Sequence, residues 1–92
     1  QMIRYLNIPI YHWRKWELQE SDRIIIVDGC KGNANVIDLI GREVAVIDHH
    51  RSQTRDDVVL TDIRPEYGSS STIICEYYRE QRMIPGREVA SA

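Results

Sequence analysis

Two short apolar runs, each ending on an aspartate, restrict the fold of this chain more than any other feature in it. They are Arg23-Ile24-Ile25-Ile26-Val27-Asp28 and Glu43-Val44-Ala45-Val46-Ile47-Asp48, the second continuing into His49-His50. Ile and Val residues without polar alternation are the pattern of a strand buried on both faces of a parallel sheet. In an open α/β sheet, functional residues collect at the carboxyl ends of the strands. Asp28 and the Asp48-His49-His50 cluster are therefore expected side by side at one sheet edge. Carboxylates and imidazoles converging there are the raw material of a metal site.

The rest of the chain is read around these two strands. Ile8, Ile10 and Tyr11 suggest a short strand with Pro9 at its start or on an edge. The stretch from Trp13 to Gln19 suits one or two helical turns, or a loop. Gly29 to Asn35 is a loop, in which glycines and asparagines offer left-handed backbone positions. Asn33 or Asn35 is placed to cap a short helix, Val36-Ile37-Asp38-Leu39-Ile40, that Gly41 would stop. Val58-Val59-Leu60 and Ile63 indicate a third strand, after a polar and exposed segment from Arg51 to Asp57. One of Ser69, Ser70 and Ser71 caps a helix from about Thr72 to Arg82, with Ile73, Ile74, Tyr77 and Tyr78 on its core face. Pro85-Gly86 ends that unit, and a further helix begins near Arg87. Strand, helix, strand, strand, helix in succession means an α/β fold built on a parallel sheet.

The Asp48-His49-His50 triplet, the Val27-Asp28 strand end before it, and the run Tyr67-Gly68-Ser69-Ser70-Ser71-Thr72-Ile73-Ile74-Cys75-Glu76 after it resemble the DHH phosphoesterase family in content and order. The resemblance covers roughly residues 23 to 80. It implies a DHH-type catalytic domain in which Asp28 and His49 are direct metal ligands, with Asp28 bridging two divalent ions. The ions would be Mn²⁺, or another such as Mg²⁺ or Co²⁺, two per complete site. His50 would lie toward the substrate phosphate, and Asp48 would orient an imidazole, as carboxylates commonly do behind ligand histidines. These two are the catalytic candidates. Arg51 and Ser70 are candidates for contact with the phosphate, although Ser69 to Ser71 serve equally well as plain helix caps.

The same resemblance implies that the sequence is the central part of a single catalytic domain spanning residues 1–92. The family's first His/Asp/Asp-rich motif would precede it and its later aspartate would follow. Gln1 in place of an initiator and a helix running to Ala92 agree with an excerpt from a longer chain. Two ligands rarely hold even one catalytic ion, so the isolated piece is expected to bind metal weakly and not to turn over.

Composition excludes several classes. With 42% hydrophobic and 28% charged residues the chain is an ordinary globular one. A net charge of -2 leaves no basic field to attract DNA through its backbone. Cys30 and Cys75 lack metal-ligand spacing and are too few for a disulfide framework, which points to a reduced, cytoplasmic setting. No apolar run reaches the roughly 18 residues that cross a bilayer.

The leading expectation is hydrolysis of phosphodiester bonds in short oligonucleotides, dinucleotides or related phosphate esters by a water activated between two metals. Pyrophosphate or polyphosphate hydrolysis by the same residues is an alternative within the family. A non-catalytic nucleotide-binding domain of the same fold is another. A Rossmann-like dinucleotide binder using Asp48 for the ribose would need a glycine fingerprint that Gly29-Cys30-Lys31-Gly32 does not provide. Asp57 and Asp62 have ligand chemistry but no motif, Trp13 and Trp16 suit packing more than base stacking, and Cys30 reads as a small buried group.

Overall fold

Three of the apolar segments pair into one sheet whose strands all run the same way. In the computed structural model, residues 2–5, 7–12, 14, 16–34 and 36–91 are described, without the side chains of Met2, Ile3 and Ser91. The elements in chain order are α1 (Met2–Tyr5), β1 (Arg23–Val27), β2 (Arg42–Asp48), β3 (Leu60–Ile63), α2 (Ser70–Glu80) and α3 (Arg87–Ser91). The sheet order is β1-β2-β3, parallel throughout, with Val27 opposite Ile47 and Asp48 opposite Ile63. This is an α/β fold, as the strand pattern predicted.

The central strand carries the core. Ala45, Val46 and Ile47 of β2 are buried together with Ile73 of α2 and Cys30 of the first loop. Four consecutive buried positions at the end of β2 match a strand covered on both faces. The edge strand β1 differs from expectation. Its run of isoleucines is not enclosed: Ile25 is 64% and Val27 47% exposed. That face is left largely open to solvent. β1 also carries a register irregularity between Ile24 and Ile25.

Two further expectations fail for local reasons. No helix forms over residues 36–40, and Ile37 and Ile40 are exposed. One and a half turns of largely β-branched residues cannot meet the cost of helix nucleation alone. Instead Val36 N–H donates to the Asn33 carbonyl in a turn, and Asn33 spends its side-chain amide on Ser52 rather than on a cap. Asn35 lies outside the described residues. Residues 8–12 form no strand either, and Ile10 and Tyr11 are exposed; Pro9 has no N–H to contribute to a ladder. Of the stretch from 13 to 19, Trp13 and Lys15 lie outside the described residues, and 16–19 are irregular, with Trp16 exposed.

The loop after β1 is held tightly against the sheet. A Cβ at Gly29 would come within 2.5 Å of a Val36 methyl, and Gly41, at φ 128°, would bring one within 2.7 Å of Ile24 Cδ1. Lys31 Nζ donates to the Gly41 carbonyl and faces Asp38, closing the base of this connection. Ser69 occupies the N-cap position of α2 with extended backbone, but its hydroxyl pairs with that of Thr72 and makes no cap bond to the backbone. No described helix is long and apolar enough to cross a membrane.

Candidate metal centre

The carboxyl ends of β1 and β2 bring the two acidic strand ends together. Asp28 N–H donates to the Ile47 carbonyl, which carries the β1–β2 ladder one residue past Val27. Asp28 itself has φ 68°, a left-handed conformation that costs a non-glycine residue free energy and turns the chain sharply. That turn leaves its carboxylate at the sheet edge, where Ser70 Oγ donates to Oδ1 at 2.8 Å. The opposite strand ends on Asp48, which is fully buried.

Asp48 organises the two histidines. Its Oδ1 accepts the backbone N–H groups of His49 and His50, at 2.8 and 3.2 Å, and also lies 2.7 Å from His50 Nδ1. Its Oδ2 accepts the Ser52 hydroxyl at 2.7 Å. On an extended chain His49 and His50 would point to opposite faces. Here the strand has stopped at Asp48, and the bend held by its carboxylate gathers both rings, with centroids 4.2 Å apart. Burial alone pushes the Asp48 carboxyl up. The bonds from Ser52, from His50 and from the backbone of His49 outweigh it and hold the group below the usual carboxylate range.

Both imidazoles have one nitrogen already engaged. His49 Nδ1 lies 3.2 Å from the Tyr67 carbonyl, and His50 Nδ1 faces Asp48. Each acceptor favours a proton on Nδ1, while the Asp28 carboxylate competes for one on His49 Nε2. His49 Nε2 lies 3.4 Å from Asp28 Oδ1. Asp28, His49 and His50 each offer a ligand atom, and the three atoms lie within 4.8 Å of one another. One carboxylate and two imidazoles fit a divalent ion such as Mn²⁺ or Co²⁺ by donor type. Cys30 takes no part, since its buried thiol faces the Gln53 carbonyl.

Of the residues singled out by sequence, the structure brings together Asp28, His49, His50, Asp48 and Ser70. Ser70 is buried, with its hydroxyl committed to Asp28. Arg51 is exposed and borders a separate depression with Gln53, Pro65 and Glu66. A cavity of about 740 Å³ adjoins the donors, lined by Asp28, His49 and Ser70 together with Ile74, Tyr78 and Met83.

A charged cluster behind the site has no counterpart in the sequence reading. Arg64 forks onto both oxygens of Asp62, at 2.7 and 2.8 Å, and its other Nη reaches Glu76 of α2. Tyr67 donates to Glu76 at 2.8 Å, and Tyr77 donates to Asp62. The guanidinium lies 5.4 Å from the centre of the Tyr67 ring. Arg64 lowers Asp62, and Tyr67 followed by Arg64 lowers Glu76, while burial and then Asp62 push the Tyr77 hydroxyl up to about 12. Asp62 and Arg64, two apart at a strand end, carry a weak same-face signal. Their pairing with α2 is written nowhere locally.

Comparison with known proteins leaves this centre without a named family. No family model matches the chain. It is 29% identical over 91 residues to Uncharacterized protein MJ1633 of Methanocaldococcus jannaschii, a match covering 99% of this chain. The chain spans only 19% of that relative's length. No solved structure matches.

Proposed function

We propose that this chain carries part of the active centre of a metal-dependent phosphoesterase of the DHH type. It would cleave phosphodiester bonds in short oligonucleotides, dinucleotides or related phosphate esters. The convergence of Asp28, His49 and His50 within 4.8 Å at the ends of two adjacent parallel strands carries this reading. Asp28 and His49 would hold the ion, with His50 beside them, turned by Asp48 toward either the ion or the substrate phosphate. When bound, divalent ions lower the pKa of a water and offset charge on phosphate oxygens.

The chain's own groups prepare that chemistry. Tyr67 and Asp48 would favour a proton on each Nδ1 and so leave the Nε2 atoms for an ion. Ser70 holds the Asp28 carboxylate in place before any ion arrives. The adjoining cavity, with Tyr78 and apolar side chains, favours a phosphate ester with an organic group over inorganic pyrophosphate.

The test is mononucleotide release from a dinucleotide by the full-length protein with added Mn²⁺, with pyrophosphate run in parallel. Release is expected to require metal and to fall by at least about 100-fold in Asp28→Ala, since ligand loss exceeds the 10- to 100-fold typical of outer partners. Release of phosphate from pyrophosphate alone would move the reading to the pyrophosphatase branch. Metal-independent release, or none from either substrate, would overturn it.

A further inference from the structure

The Arg64 cluster sits where it can govern the metal centre without touching it. Arg64 N–H donates to the Asp48 carbonyl at 2.9 Å, which extends the β2–β3 ladder beyond Ile63. Its own carbonyl accepts the Tyr67 N–H at 3.0 Å, closing a turn over residues 64–67. The carbonyl of Tyr67 is the partner of His49 Nδ1. Thus the main chain of Arg64 is bonded to Asp48, next to His49, and to Tyr67, whose carbonyl meets the His49 ring.

Its side chain is connected to the other ligand only through α2. Glu76, gripped by Arg64 and Tyr67, lies on the helix that begins at Ser70, and Ser70 donates to Asp28. The salt bridges are only partly exposed, with side-chain exposures of 25% for Arg64, 18% for Asp62 and 29% for Glu76. A planar fork between two carboxylates has one geometry, unlike a lysine point charge. The group therefore fixes the rotation and height of α2 relative to the turn.

We propose that Arg64 is a positioning residue: bridging Asp62 and Glu76, it sets where the Tyr67 carbonyl meets His49 and where the Ser70 hydroxyl meets Asp28. Its consequence for metal affinity rests on the phosphoesterase reading above. Its effect on His49 does not. The two are separated by two readouts on the full-length protein. The first is the His49 tautomer in the metal-free protein, from ¹⁵N NMR at pH about 8, above the ordinary imidazole pKa of about 6.5. The second is Mn²⁺ affinity by calorimetry.

In the unaltered protein the Tyr67 carbonyl is expected to keep His49 mainly as the Nδ1–H tautomer, against the Asp28 carboxylate 3.4 Å from Nε2. Arg64→Met, close in length but uncharged, is expected to give a mixture of tautomers and to weaken Mn²⁺ by about 10- to 100-fold, the usual cost of losing an outer partner. Tyr67→Phe removes only the hydroxyl that reaches Glu76 and should shift both readouts the same way by less. It also decides the matter if Arg64→Met does not fold. Arg64→Lys restores charge without the fork and should recover only part of the loss. Ile73→Val, a core change on α2 that keeps every polar group of the web, lowers Tm and should leave the tautomer alone. An unchanged His49 tautomer in the folded Arg64→Met and Tyr67→Phe proteins overturns the proposal. If the unaltered protein takes no Mn²⁺, the metal reading fails, and the tautomer still decides the role of Arg64.

Discussion

The two edges of the sheet contrast sharply. At the β2–β3 side the carboxylates behind the centre are paired: Asp48 accepts four hydrogen bonds, and Asp62, Arg64 and Glu76 form one web with two tyrosines. At the β1 side the strand is as apolar as any in the chain, yet Ile25 and Val27 remain exposed. The metal-ligand candidates lie on the seam between these regions. Asp28 comes from the open side and the histidines from the braced one. Hydrophobic content alone therefore does not make a core. Burial needs a second layer, and here α2 supplies it to β2 through Ile73.

The largest expected break in this contrast is Asp48→Ala. It strands two backbone N–H groups, the His50 ring and the Ser52 hydroxyl, and removing one partner of a buried polar set costs about 3–5 kcal/mol. Urea unfolding should show that loss, or a chain that no longer folds. Next comes a matched pair of isoleucines. Ile73→Ala should cost about 2–5 kcal/mol in the same assay, as expected for a fully buried side chain. Ile25→Ala on the open strand should stay within about 0.5 kcal/mol. Equal losses at the two positions would mean that β1 is enclosed in solution.

Acid should sharpen the contrast further. The folded pKa values of Asp48, Asp62 and Glu76 are depressed, so below the ordinary carboxylate pKa of about 4 the unfolded chain binds more protons than the native one. Their stabilisation is complete above that value and disappears as pH falls through the depressed values. Unfolding midpoints measured from pH 6 to pH 2 should drop steeply below about 4. Replacing Asp62 with Asn should make the drop shallower.

Smaller still is Asp28→Gly. It removes the strain of a positive φ and also the bond from Ser70, so stability should change by no more than about 1 kcal/mol. Mn²⁺ binding should vanish with it. A large loss of stability would show that Asp28 is held there for the fold. At the bottom of the scale, Arg51→Ala should alter neither stability nor Mn²⁺ affinity measurably, because the side chain is exposed and borders a different depression.

Legibility from sequence followed the range of the interaction. The strands at 23–28 and 43–48, the third strand and the long helix are local hydrophobic patterns and were readable. The helix over 36–40 was not, because a five-residue run with four apolar positions looks alike in a short helix and in a loop until packing decides. Enclosure of β1 was also misjudged, since a run of isoleucines records what can be buried and says nothing of what covers it. For the site, Asp48, His49 and His50 are covalent neighbours and could be picked out together. Asp28 joined them through the parallel-sheet rule. Ser70 was noticed for phosphate contact, while its hydroxyl goes to Asp28.

By itself, then, the sequence determined an α/β chain with two acidic strand ends and a tandem histidine pair, because apolar periodicity and adjacency are local properties. Only the tertiary structure decided that both histidines face one point, through a carboxylate that stops β2 and bends the chain. Only it revealed the Tyr67 carbonyl behind His49 and the Arg64 web behind Tyr67. A backbone carbonyl has no side-chain signature, and a salt bridge between a strand end and a distant helix exists only once the sheet has set their separation.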